Sequence, residues 1–239
     1  MWRNMEWIVY GVLLLAVVLG AIYWWVLPTL GRHTMGDGPT AILWILNRLY
    51  VRLFHRLKST GTEIIPKTIQ PGPLVVICNH QSPIDPLLVQ SQCRFKIRWL
   101  MAKEFMIPSA NFIWKLSEVI PIARDGRDAA GIRAALRHLR NDGVIGIFPE
   151  GGIKEPRGSI HPFAEGAGAI IAKTKANVLL AIVDETPQND DMQKAMMERS
   201  SSTIQFVELI SFPEKATGQE ITSELRSRIA EITHWPLVD

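Results

Sequence analysis

The sequence predicts an α/β domain, a largely parallel sheet flanked by helices, preceded by an N-terminal transmembrane helix and a basic amphipathic helix. Three observations carry this. An uncharged run fills Trp7 to Leu30, apolar residues recur at helical spacing from Thr40 to Lys58, and beyond residue 71 short β-branched runs alternate with helical patterns. The chain of 239 residues is 47% hydrophobic and 21% charged, a composition that supports a packed core and argues against extensive disorder. Its two cysteines, Cys78 and Cys93, are too few for a disulfide framework or for a zinc site of the usual spacing, so a reducing compartment is expected.

The run from Trp7 to Leu30 is long enough to cross the hydrocarbon core, which takes about 20 helical residues. It ends in Tyr23, Trp24 and Trp25, where a cleavable signal would carry small residues, so residues 1–32 read as an uncleaved membrane anchor. Arg32, Arg48, Arg52, Arg56 and Lys58 face a single acid, Asp37, between residues 31 and 60, a net charge of +4. Residues 61–239 carry a net of −1. This basic flank puts the main domain on the cytoplasmic side by the positive-inside tendency.

Residues 33–70 form the next unit, an amphipathic helix and a linker. Ile42, Leu43, Ile45, Leu46, Leu49, Tyr50, Leu53, Phe54 and Leu57 make the apolar face, with Arg48, Arg52 and Arg56 on another. Directly after a span, such a helix is expected in the bilayer interface, against anionic headgroups. The alternative is an ordinary domain helix with a solvated basic face. Pro66 and Pro71-Gly72-Pro73 close the linker.

Residues 71–239 form the α/β domain. Strands are predicted at Leu74 to Cys78, Ile97 to Met101, Glu118 to Ala123, Val144 to Phe148, Val178 to Val183 and Thr203 to Glu208. Helices are predicted at Pro86 to Gln92, Phe105 to Leu116, Arg127 to Asn141, Phe163 to Lys175 and Gln219 to Ile232. Pro187 to Arg199 reads as a polar insertion with a short helix.

Three strand-to-helix junctions carry chemistry, as the ends of strands do in open α/β sheets. The first is Asn79-His80-Gln81-Ser82-Pro83-Ile84-Asp85. Ser82 as a cap, Pro83 in the first turn and Asp85 near the positive end of the dipole make a good helix start. That leaves His80, which with Asp85 about one turn on has the makings of an oriented general base. No Ser or Cys stands in a nucleophile elbow, so the activated hydroxyl belongs to the substrate. The second junction brings Arg124 to the end of an apolar strand, as a forked phosphate donor or as the partner of Asp125 or Asp128. The third is Phe148-Pro149-Glu150-Gly151-Gly152 followed by Lys154 and Arg157, a flexible turn with positive charge beside it.

In this order the three junctions resemble the blocks of the glycerolipid acyltransferase family, typified by 1-acylglycerol-3-phosphate acyltransferase, over roughly residues 71–175. The resemblance implies transfer of a fatty acyl chain from acyl-CoA or acyl-carrier protein to the hydroxyl of a lysophospholipid, 1-acylglycerol-3-phosphate first among them, or of glycerol phosphate. It implies that His80 takes the hydroxyl proton, Asp85 orients His80, Arg124 binds the acceptor phosphate, and Glu150 and Gly151 shape the acceptor site. The family usually continues Phe-Pro-Glu-Gly with Thr-Arg-Ser, whereas this chain has Gly152-Ile153-Lys154, so Lys154 or Arg157 is expected to stand in for the arginine. The family's later proline-containing strand corresponds to Val178 to Val183, which has no proline. Expected partners are membrane lipids and the thioester donor, not nucleic acid, with no metal and no cofactor beyond that donor. A lipid ester or thioester hydrolase using the same pair, or a non-catalytic lipid-binding protein, are the alternatives.

Overall fold

The computed structural model describes residues 2–123 and 129–238. Helix α1 (Trp2–Ala21) runs through one π-turn, Ile22–Val26, into α2 (Leu27–His33). Tyr10–His33 is long and apolar enough to cross a membrane, and the side chains described in it lie almost entirely exposed, including Tyr23, Trp24 and Trp25.

Helix α3 (Gly38–Leu53) starts where Asp37 accepts the Thr40 N–H at 2.8 Å. It is docked on the domain, not loose. Trp44 Nε1 donates to the Gln90 carbonyl at 3.0 Å, Asn47 donates to the Leu87 carbonyl at 2.8 Å, and Lys96 bridges Asp37 and Glu118. Its other side keeps Ile42, Ile45, Leu46, Leu49 and Leu53 exposed.

A seven-stranded sheet follows in the order β1-β7-β6-β2-β5-β3-β4. The strands are β1 (Lys58–Thr60), β2 (Leu74–Cys78), β3 (Arg98–Ala102), β4 (Ile120–Ile122), β5 (Val144–Ile147), β6 (Asn177–Asp184) and β7 (Thr203–Ile210). β6, β2, β5, β3 and β4 are mutually parallel; β7 runs antiparallel to β6, and β1 lies parallel to β7 on the outer edge. The sheet is therefore largely parallel, as expected. Strand β1 has no counterpart among the predicted strands.

Alternation along β2 divides the core. Val75 and Ile77 face one layer with α6 (Ala129–Arg140), α7 (Glu165–Thr174) and α9 (Gly218–Thr233); Leu74, Val76 and Cys78 face the other, with α3 and α4 (Asp85–Gln92). Both cysteines are free and buried. The predicted helix from Phe105 to Leu116 is broken instead into short 3₁₀ turns, Lys103–Phe105 and Pro108–Ala110, before α5 (Asn111–Leu116), because Pro108 has no N–H to continue the ladder. In the insertion, Asp191 caps α8 (Met192–Met197) through the Lys194 N–H.

The connections from β2 and β5 place the site. These strands are neighbours, yet β2 leads into α4 on one face and β5 into α7 on the other. Loops leaving adjacent parallel strands toward opposite faces open a crevice at their carboxyl ends.

Candidate active site

His80 stands in that crevice, two residues beyond β2. Its Nδ1 lies 2.9 Å from Asp85 Oδ2. An ionised carboxylate only accepts, so Nδ1 carries the hydrogen and Nε2 keeps its lone pair. Among the described residues no group bonds Nε2. Asp85 is fully buried, whereas the His80 side chain retains 17% exposure, enough for its free edge to meet a substrate.

The chain between them explains the geometry and corrects the expected helix start. Ser82 does not cap α4 through its hydroxyl. Asp85 N donates to the Ser82 carbonyl at 3.1 Å, closing a turn with Pro83 second and Ile84 third at φ −89°, ψ −4°, the values of a type I turn. The helix begins only at Asp85, with Pro86 in its first turn. This delay turns the carboxylate back toward the strand. Its Oδ2 accepts the backbone N–H groups of Gln81 at 2.7 Å and Ser82 at 2.8 Å besides the imidazole.

Glu150 comes from the neighbouring strand. Phe148-Pro149-Glu150-Gly151 is also a turn, with Gly151 N donating to the Phe148 carbonyl at 3.1 Å and Gly151 at φ +72°, a conformation glycine adopts without strain. Glu150 Oε1 accepts the His80 backbone N–H at 3.1 Å. Burial pushes its carboxyl up to about 7, with the charge of Asp85 adding to the rise; the His80 N–H bond and the charge of Lys154 oppose it. Phe148 stacks on the His80 ring with centroids 4.0 Å apart, and Trp99 stacks on Phe148 at 4.8 Å. Gly146 lies under Trp99, and any Cβ there would overlap the indole.

Of the cations after Glu150, Lys154 is exposed and its charge reaches Glu150. Arg157 is spent elsewhere: its guanidinium donates to Glu155, to the Pro187 carbonyl at 3.0 Å and to Asp190, tying this loop to the insertion. Gly152 adjoins Gly151 at the exposed rim. Arg124 lies outside the described residues.

Two residues escaped the sequence reading. Asn79 is buried and pairs its side-chain amide with both backbone groups of Val183, at 2.9 Å and 2.8 Å, extending the β2–β6 ladder by one side-chain rung. Lys103 follows the last residue of β3, at the same edge of the sheet as His80 and Glu150. The position of a lysine directly after an apolar strand is the signal that could have found it.

A buried carboxylate fixing a histidine tautomer at the carboxyl edge of a parallel sheet, with a second carboxyl holding the histidine backbone, is an arrangement able to serve as a general base toward a hydroxyl or water. The family model for Acyltransferase matches residues 56–183, and the chain belongs to that family. Over 143 residues it is 28% identical to the Caenorhabditis elegans protein named "Putative 1-acyl-sn-glycerol-3-phosphate acyltransferase acl-2"; the match covers 55% of this chain and 49% of that protein. The chain thus spans about half the length of that curated relative. The fold is similar to the crystal structure of the 1-acyl-sn-glycerophosphate acyltransferase PlsC from Thermotoga maritima, with a TM-score of 0.67 and 20% identity over 82% of this chain and 79% of that one.

Proposed function

We propose that this chain is a membrane-attached O-acyltransferase moving a fatty acyl group from a thioester, acyl-CoA or acyl-carrier protein, to the free hydroxyl of a lysophospholipid of the 1-acylglycerol-3-phosphate kind. The observation that carries the reading is the His80–Asp85 pair with Nε2 unengaged. Nε2 takes the proton of the acceptor hydroxyl as its oxygen bonds to the thioester carbonyl carbon. When the tetrahedral intermediate collapses, the carbon–sulfur bond breaks and the proton passes from Nε2 to the departing thiolate. Asp85 keeps the imidazole in the accepting tautomer and balances the imidazolium charge.

The acceptor phosphate needs cations at the same sheet edge. Lys154, whose charge reaches Glu150, supports this side of the crevice as the phosphate side, and Arg124 is the cation that the family resemblance assigns to the phosphate. Arg157 serves the loop instead, through Glu155, Pro187 and Asp190. Glu150, Gly151 and Gly152 shape the acceptor side of the crevice. The apolar run in residues 1–32 anchors the chain, the basic segment within 33–70 lies at the interface, and the α/β domain, residues 71–239, works on the cytoplasmic face, the side the basic flank favours.

Membranes containing the protein are to be incubated with a panel of lyso-acceptors and both thioester donors, and the acylated product identified by mass. His80→Ala should lower the rate about 10²-fold or more while the protein stays in the membrane fraction. Near-normal rates from that variant, or free fatty acid with no acylated acceptor, would sink the proposal.

A further inference from the structure

The far end of α4 from His80 carries a second polar feature that the acyl-transfer reading does not use. A cleft of about 450 Å³ opens between α3, β1, the segment after it and the carboxyl end of α4. Its lining includes Arg48, Lys67 and Arg94, together with Ser59, Thr62 and Gln92, and no carboxylate. Among the described residues none of the three cations forms a salt bridge, and none makes a contact left unnamed. Arg48 is not a free-swinging side chain: its guanidinium lies 5.0 Å from the Trp44 ring centroid, and Trp44 is itself bonded to the Gln90 carbonyl. Three cations lining one cleft together with hydroxyl and amide groups suit a phosphate, which takes several donors at once.

The surroundings favour a lipid as the source of that phosphate. Arg48 shares α3 with Ile45, Leu46 and Leu49, which are exposed in a stripe along the helix, and α3 follows the apolar segment long enough to cross a membrane. A phosphate in the cleft would thus have its acyl chains beside an apolar surface that the domain leaves uncovered. We infer that this cleft binds the headgroup phosphate of an anionic membrane phospholipid, at a site separate from the catalytic crevice. Occupancy would fix the tilt of α3, and through the Trp44 and Asn47 bonds that of α4, against the bilayer. The inference does not depend on which acceptor the crevice acylates.

The test is native mass spectrometry of the detergent-solubilised full chain titrated with phosphatidylglycerol, chosen because it is neither acceptor nor product of the proposed reaction. One phosphatidylglycerol should be retained by the wild type and by His80→Ala, and phosphatidylcholine should be retained far more weakly. The triple variant Arg48→Gln, Lys67→Gln, Arg94→Gln should lose affinity on the order of tenfold or more, from exposed positions that leave the fold intact. The charge-conserving pair Arg48→Lys, Arg94→Lys should keep most of it. Arg52→Gln, Arg56→Gln removes two exposed cations that do not line the cleft and should leave retention unchanged. Equal loss from that pair would replace the built cleft with a diffuse basic surface. Unaltered retention by the triple variant, or displacement of the lipid by millimolar inorganic phosphate or by coenzyme A, would overturn the assignment.

Discussion

Glu150→Gln separates two roles that one carboxyl combines. The side chain is buried to 8% exposure and its carboxyl sits at about 7 instead of 4.5, chiefly because burial penalises its charge. An acid raised in the folded state binds its proton more tightly there than in the unfolded chain. The stability tied to it is therefore fullest below about pH 4.5 and is lost as pH rises through 7. At about 1.4 kcal/mol per pH unit, holding Glu150 ionised at pH 8 costs the native state about 3 kcal/mol. Glutamine keeps a carbonyl oxygen for the His80 N–H and never ionises. The variant should match the wild type near pH 4 and exceed it near pH 8 by about 6–12 °C in Tm. Thermal unfolding in detergent, followed by tryptophan fluorescence across that range, measures the difference. If its charge has only this cost, acyl transfer by the variant stays within roughly tenfold of wild type, because the bond that positions His80 survives. A Tm difference that does not change with pH refutes the electrostatic argument. A rate as low as that of His80→Ala shows that the charge itself acts in the reaction.

Asp85→Asn leaves a single carbonyl oxygen where one carboxylate oxygen collects three N–H donors; kcat should fall by about 10²–10⁴ with KM little changed in steady-state assays. Asn79→Ala orphans the Val183 N–H and carbonyl, which should cost about 2–4 kcal/mol by thermal unfolding and lower the rate as the β2–β6 edge loosens. Gly146→Ala drives a methyl into the Trp99 indole. Expected are a loss of about 1–3 kcal/mol and a reduced kcat, because the Trp99–Phe148–His80 stack has to shift.

What the sequence made legible was whatever repeats locally. β2 and β5 are continuous apolar runs because both faces of the sheet are covered, and their carboxyl ends are visible as abrupt changes to polar residues. The same breaks exposed His80, Asp85 and Glu150. The features that stayed hidden depend on partners distant in the chain. Lys58-Ser59-Thr60 has no apolar member and becomes a strand because β7 offers an open edge. Asn79 is committed to Val183, and Arg157 to Pro187 and Asp190, pairings that no local pattern announces. The start of α4 is ambiguous in the sequence for a different reason. Ser82-Pro83 is compatible with both a capped helix and a type I turn, and the bonds to Asp85 Oδ2 select the turn.

On the proposed mechanism, that selection matters for the orientation of His80. With Ser82 as the cap, its hydroxyl would accept the Asp85 N–H; in the turn the Ser82 carbonyl accepts that N–H instead, and Asp85 Oδ2 gathers the Gln81 and Ser82 N–H groups together with the imidazole. With the turn in place, moving Asp85 away from His80 also breaks the Gln81 and Ser82 bonds, so the carboxylate is held independently of the imidazole it orients. The imidazole is in turn confined on its face by Phe148 and along its backbone by Glu150. The Nε2 edge is unbonded among the described residues, so on the proposed mechanism little reorganisation is needed when an acceptor hydroxyl meets it.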